Sequence, residues 1–345
     1  MTRFILTLLF CSILSGVFAQ EEEIKHAKIK GYNPNYRVNY FDKMIFQVEL
    51  NTNNDNFYIQ NLSYSKNRNK SFVPNDFLRT KFSFDYKFLG LNFSISPNFL
   101  QSEKDPRKGE TKILDLGFKF FYTDRLRQEV TFKTIKGFYL EDLDTFEPLE
   151  IFSELEIKTI GGKTFFVVNK NFSYRSFESM TERQIKSNGS IIPSISYYFN
   201  NLETNQNTGK NFNLKNIKSF DTYFQLGYMH NFILHKKWFA TIGVHPGIGL
   251  NKSTNYFTNA LNEDFTKTSS FNVNYNIDAN IAVGYNNKDF FTGLKSTYRN
   301  YDYNNKNTTE IKTERTNFGI YFGYRFNETK TMKKTFEYIE RKLKI

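Results

Sequence analysis

Over long stretches of this chain every second residue is apolar. The clearest run is Phe271, Val273, Tyr275, Ile277, Ala279, Ile281, Val283 and Tyr285, interleaved with Asn272, Asn274, Asn276, Asp278, Asn280, Ala282 and Gly284. Strand side chains alternate between two faces, so this segment has one apolar face and one polar or small face. The pattern recurs at 82–88, 114–122, 238–244 and 318–326. Weaker alternation at 43–50, 57–64, 91–99, 126–136, 155–168, 172–181, 189–199, 220–233 and 289–299 brings the expected count to 12–14 strands. Tight turns are expected at 89–90, 123–124, 169–171, 235–237 and 286–288, and longer polar loops at 65–76, 100–111, 141–150, 200–218, 251–268 and 302–313. Short turns on one rim and long loops on the other are the mark of an antiparallel membrane barrel. The parity breaks across 172–199, which should be one strand and is too long for one.

A soluble β-sandwich or barrel also buries one strand face. Three features favour the membrane. Tyr86, Tyr122, Trp238, Tyr285, Tyr298 and Tyr324 stand at strand ends, where aromatic girdles meet the lipid interface. The opposite faces carry charges and glycines suited to a wet lumen. The final strand ends Tyr324-Arg325-Phe326, an aromatic terminus of the kind barrel-assembly machinery reads. The expected fold is therefore all-β, an antiparallel transmembrane outer-membrane β-barrel with a short C-terminal periplasmic helix. Residues 1–19 read as a signal peptide, 20–36 as a periplasmic N-terminal segment, 37–327 as the barrel and 328–345 as a basic amphipathic tail. In that tail Met332, Phe336, Ile339 and Leu343 fall on one helical face, fit for packing on the periplasmic mouth, plugging the lumen or holding a periplasmic partner.

Composition sharpens the picture. Phe (39) and Tyr (22) supply much of the apolar content, which favours strands over helices. A mean hydropathy of −0.56 and the lack of a long apolar run after residue 19 exclude a helical membrane protein. The leader carries Arg3 and an apolar stretch ending in Val17-Phe18-Ala19, and it contains the single cysteine, Cys11. The mature chain thus has no thiol chemistry and no disulfide. Removing the leader takes away one Arg from a net charge of +12, leaving +11. The charges are dispersed and the chain is exported, so nucleic acid is not an expected partner; anionic outer-membrane lipid is.

Candidate chemistry is sparse. The densest polar run is Thr181 to Ser187, where Ser187 or Ser190 with Lys186, Glu182 and a distant His245 could be drawn as a lipid hydrolase. No Gly-x-Ser-x-Gly elbow accompanies them. The plainer reading is a polar network pinning an inward-folded turn to the wall, with His245 an ordinary lumen residue. His26, His230 and His235 lack zinc-ligand spacing. The acidic stretch from Glu141 to Glu156 lacks the calcium-loop pattern. No cofactor is expected. The main functional reading is a non-enzymatic barrel (pore, transport component or structural protein), the alternative an outer-membrane lipid hydrolase.

Phe172-Ser173-Tyr174-Arg175 followed by Glu182-x-Gln184-x-Lys186-Ser187-x-Gly189-Ser190 resembles a family of outer-membrane barrels, domain of unknown function 4421. Val73-Pro74-Asn75, Lys136-Gly137-Phe138-Tyr139 and Gly284-Tyr285-Asn286 support the resemblance, which covers roughly residues 27–327. Asn188 stands where a small residue is expected. The resemblance implies a barrel in the outer membrane of Gram-negative bacteria and no established activity. It singles out Arg175, Glu182, Gln184, Lys186, Ser187 and Ser190 as motif residues of unassigned role.

Overall fold

The computed structural model describes residues 33–61, 70–75, 78–97, 100, 105–142, 144–204, 213–235, 237–258, 265–303 and 309–343. The expected leader and most of the 20–36 segment lie outside the described residues. The elements are β1 (Arg37–Asn39), β2 (Lys43–Asn61), β3 (Lys70–Val73), β4 (Arg79–Tyr86), β5 (Leu89–Ile95), β6 (Lys112–Phe121), β7 (Leu126–Asp142) and β8 (Pro148–Phe166). There follow α1 (Arg175–Glu178), β9 (Glu182–Gln184), β10 (Asn188–Glu203), β11 (Asn213–Leu234), β12 (Trp238–Thr258), β13 (Phe265–Asn286), β14 (Phe290–Tyr303), β15 (Thr309–Asn327) and α2 (Lys330–Leu343).

Twelve strands close a ring in the order β2-β4-β5-β6-β7-β8-β10-β11-β12-β13-β14-β15, each antiparallel to its neighbours. The seam is β15 against β2, paired from Asn327↔Lys43 to Thr309↔Asn61. Closure leaves no edge strand, the condition lipid imposes on a sheet. Above the short β4, β5 and β6, β3 joins β2 directly to β7. One strand there replaces three, so the ring narrows from twelve to ten toward the long-loop rim. Gly137 makes this step possible: its φ of +90° carries a bulge in β7, and a Cβ there would strike the Glu110 carbonyl.

The outward face is an apolar belt. Phe220, Leu250 and Phe271 mark its upper edge, with exposed Lys218 and Lys252 flanking it. Strands β11 to β13 run 22, 21 and 22 residues, about 70 Å each at ~3.3 Å per residue. A barrel strand crosses the hydrocarbon with ~9–11 residues, so roughly half of each strand stands clear of it.

Twelve wall strands fall within the expected range, but several boundaries differ. Segment 43–50 and residues 57–61 of the expected 57–64 are parts of one strand, β2, while 62–64 lie outside the described residues. Residues 172–181 are not a strand: they form α1 and its flanking turns inside the lumen, which removes the parity conflict across 172–199. The turn expected at 89–90 is at Lys87–Phe88, and 169–171 leads into the lumen rather than into a hairpin. Much of the expected loops 200–218, 251–268 and 302–313 is strand, because above the belt the outward face no longer meets lipid and polar residues pair there without regular apolar alternation. The barrel wall begins at Lys43 rather than at 37, since β1 pairs with β9 in a separate two-stranded sheet. Of the aromatic girdle, Tyr122, Trp238 and Tyr324 are exposed, whereas Tyr285 is covered by Trp238 and Phe290, and Tyr86 by α2.

Candidate functional site: a plugged and charged lumen

The lumen is layered. At the short-turn rim it is filled by residues 33–42, carrying β1, and 167–187, carrying α1 and β9. Phe172, Phe177 and Met180 of this plug pack on inward-facing Ile45, Phe165, Ile192, Met229, Phe239, Phe291 and Tyr321 of the wall. Irregular spacing of the three apolar residues follows from their setting: a plug packs on all sides, so no period of 2 or 3.6 is imposed.

Polar contacts fix the plug in place. Arg37 bridges Asp124 of the β6–β7 turn (2.6 Å) and Glu182 (3.2 Å). Glu182 also accepts from the Ser173 hydroxyl (2.5 Å) and faces Arg175 Nε at 3.8 Å. Arg175 donates to the Lys87 carbonyl (2.7 Å), and its guanidinium lies 3.3 Å from the Phe121 ring centroid. Burial pushes the Arg175 guanidinium down to about 10, still protonated at neutral pH, and raises the Glu182 carboxyl above its usual range. Gln184 accepts from Ser173 N–H and donates to the carbonyls of Asn171 and Lys186. From the wall, Arg325 donates twice to the Met180 carbonyl (2.7 and 3.2 Å), and Asn231 donates to the Ser173 carbonyl (3.0 Å).

Arg175, Glu182 and Gln184 are therefore brought together. Lys186, Ser187 and Ser190 lie where the plug meets β10. Lys186 stands over the Tyr36 ring at 5.5 Å. Ser187 Oγ accepts from Ile233 N–H, while Ser190 Oγ accepts from Asn169 N–H and donates to the Ile191 carbonyl. His245 is on β12, two strands from Ser190 of β10. It packs over Gly227, where a Cβ would meet the imidazole ring at 1.8 Å, and pairs in register with Asp278. The two serines and His245 thus occupy separate hydrogen-bond and packing sites.

Beyond the plug lies a cavity of about 250 Å³ lined by seven basic and five acidic side chains. Most are paired across the lumen: Lys133 and Arg315 with Asp55 (2.5 and 3.4 Å), Lys295 with Glu49 (2.7 Å), and Lys119 with Glu178 of the plug (3.1 Å). Lys163 of the lining reaches Asp278 at 3.1 Å. Farther toward the long-loop rim an apolar cluster follows, with Phe72, Phe138, Phe152, Leu155, Leu202 and Ile217. No cluster of three metal-ligating side chains is present among the described residues. Charges on inward-facing strand positions signalled a polar lumen in the sequence; the anchoring roles of Arg37, Asp124, Asn231 and Arg325 had no local signal, since their partners lie up to 145 residues away.

A closed antiparallel ring with an apolar belt outside and a plugged polar lumen inside defines an outer-membrane-type β-barrel. The chain matches the profile of a domain of unknown function (DUF4421) over residues 32–326 and belongs to that family. No curated protein matches it significantly in sequence. Solved structures with a similar fold include the outer membrane protease OmpT from Escherichia coli (8% identity, 86% of this chain and 100% of that chain, TM-score 0.40). They also include the P. putida toluene transporter TodX (8%, 84% and 91%, 0.32) and the beta domain of the Bordetella autotransporter BrkA (8%, 83% and 100%, 0.33).

Proposed function

We propose that this barrel is non-enzymatic and serves as a gated transport component, with small anions held in the charged cavity behind the plug. The observation that carries the reading is the position of the cation-rich cavity directly above a plug held by polar contacts. A wall meant only to be inert can be filled with apolar side chains, as barrels of this size permit. Here the centre is charged, with the polar-anchored plug on one side of it and the apolar cluster around Phe138 and Phe152 on the other. In this reading the protein acts in the outer membrane of a Gram-negative cell after export through residues 1–19, with the short-turn rim toward the periplasm. The bound serine hydroxyls and the separate His245 give the hydrolase alternative no assembled nucleophile and base.

Planar-bilayer recording tests it. The unmodified barrel is expected to be silent at steady state. Arg325→Ala, which removes the donors holding the Met180 carbonyl, is expected to open it, with a reversal potential in a salt gradient showing preference for anions. A silent Arg325→Ala barrel that still folds, or a cation-selective one, overturns the proposal.

A further inference from the structure

The C-terminal helix does not enter the lumen. Phe336 of α2 packs on Tyr86 and Phe88 (ring centroids 4.7 and 5.2 Å), in a cluster that takes in Met44, Phe84, Leu89, Phe120, Met332 and Ile339. The pairing register places this surface. Phe84 lies directly across from Phe46 and Leu91, both exposed in the apolar belt, and Phe120 is two residues past exposed Phe118 on the same face of β6. Tyr86 is two residues beyond Phe84 on that same outward face, about 7 Å along the strand. The helix therefore sits at the short-turn rim on the outward side of the wall, one step below the apolar belt at the level of the adjoining leaflet's headgroups, in a cluster that also takes in Phe121, whose ring meets Arg175 of the plug.

The rest of the helix fits that layer. At 100° per residue, Met332, Phe336, Ile339 and Leu343 form one line, and Lys330, Lys334 and Arg341, with Glu337 among them, form the opposite line. With the apolar line turned to the barrel, the basic line points away from it. Lys330, Lys334 and Arg341 are exposed and have no carboxylate partner among the described residues, unlike Lys333, which reaches Glu328. Exposed Tyr338 flanks them. An apolar face on one side, a line of cations on the other and an aromatic at the flank are the features of a helix lying in a lipid interface.

We propose that α2 binds the phosphates of anionic phospholipids in the leaflet next to the short-turn rim, fastening the barrel to that leaflet through Lys330, Lys334 and Arg341. Because Cys11 is the chain's single cysteine, a Cys11→Ser, Tyr338→Cys chain carries one site for an environment-sensitive fluorophore. The full barrel is reconstituted in phosphatidylcholine bilayers with or without phosphatidylglycerol, each holding the same fraction of a lipid spin-labelled at its headgroup. Quenching is expected to be about twofold or more stronger with phosphatidylglycerol, and to fall to the phosphatidylcholine level in Lys330→Gln, Lys334→Gln, Arg341→Gln or at high salt. Heat-dependent gel mobility checks that each variant retains its barrel. Equal quenching in the two bilayers, or quenching only by a water-soluble agent, overturns the proposal; the latter would mark the basic line as open to a periplasmic macromolecule instead.

Discussion

Two elements outside the barrel wall gather at the same rim, and they are held by different means. Besides the packing of Phe172, Phe177 and Met180, the plug is fixed by buried arginines, a buried glutamate and amide side chains with partners far away in the chain. The tail helix is fixed by one phenylalanine in an aromatic nest, with polar support from the Tyr86 hydroxyl donating to Glu328 and from the Lys87–Glu340 pair at 2.9 Å. Burying charge is costly unless every partner is supplied, so the plug's position is specified sharply and any missing partner is punished. Apolar packing is less demanding of geometry, and losing it frees the helix without stranding a charge.

The largest expected effect is at Glu182. Glu182→Ala leaves Arg37 and Arg175 buried with one carboxylate fewer, at a cost of about 3–5 kcal/mol to the plug. It should raise cleavage within 167–187 by added protease while the β-barrel signature in circular dichroism stays unchanged. If the plug stays protected, the ion-pair network is not what holds it. Next comes Phe336→Ala, expected to cost helix docking about 3–4 kcal/mol. Hydrogen exchange should speed up across 330–343 and nowhere in β2 to β15. A chain ending after Asn327 should likewise close and show heat-dependent mobility. Failure to close would mean that the wall depends on the tail and that the two elements are not separate in the way described.

Smaller still is Ser187→Ala, which withdraws one acceptor from Ile233 N–H, worth about 1 kcal/mol in thermal unfolding. Fatty-acid release from phospholipid vesicles should be absent before and after the change. Release that vanishes with Ser187 would restore the hydrolase reading. The least effect is expected from Glu340→Gln at the partly exposed pair with Lys87, within about 1 kcal/mol and fading with salt. Helix exchange rates in low and high salt would show it.

The same contrast explains what could be read in the chain. Met332, Phe336 and Ile339 announce a helical face because one helix docks on one surface, and three of the four expected stripe residues join the cluster while Leu343 stays exposed. The wall strands are legible wherever lipid touches one face, as at Phe271 to Tyr285. Above the belt neither face meets hydrocarbon, and Asn251 to Thr258 reads as loop although it is paired throughout with β13. In the plug, Phe172, Phe177 and Met180 meet the wall from different directions, so no period survives. The motif around Glu182 marks the plug as a distinctive polar segment, but its contact with Arg37, and through Arg37 the link to Asp124, depends on a fold that no local pattern encodes.

The three residues between β1 and β2 carry a consequence for assembly. Arg37–Asn39 pairs with β9 inside the barrel, and after Tyr40, Phe41 and Asp42 the chain enters the seam strand, whose partner β15 is the last wall strand in the sequence. The seam joins residues more than 200 positions apart, so it zips late, after the intervening hairpins have formed from local pairings. A nascent sheet that zipped with β1 still outside would have to thread that strand through the rim afterward. The short tether therefore makes insertion of the plug a step of closure itself, and sets the order in which a curling open sheet becomes a sealed cylinder.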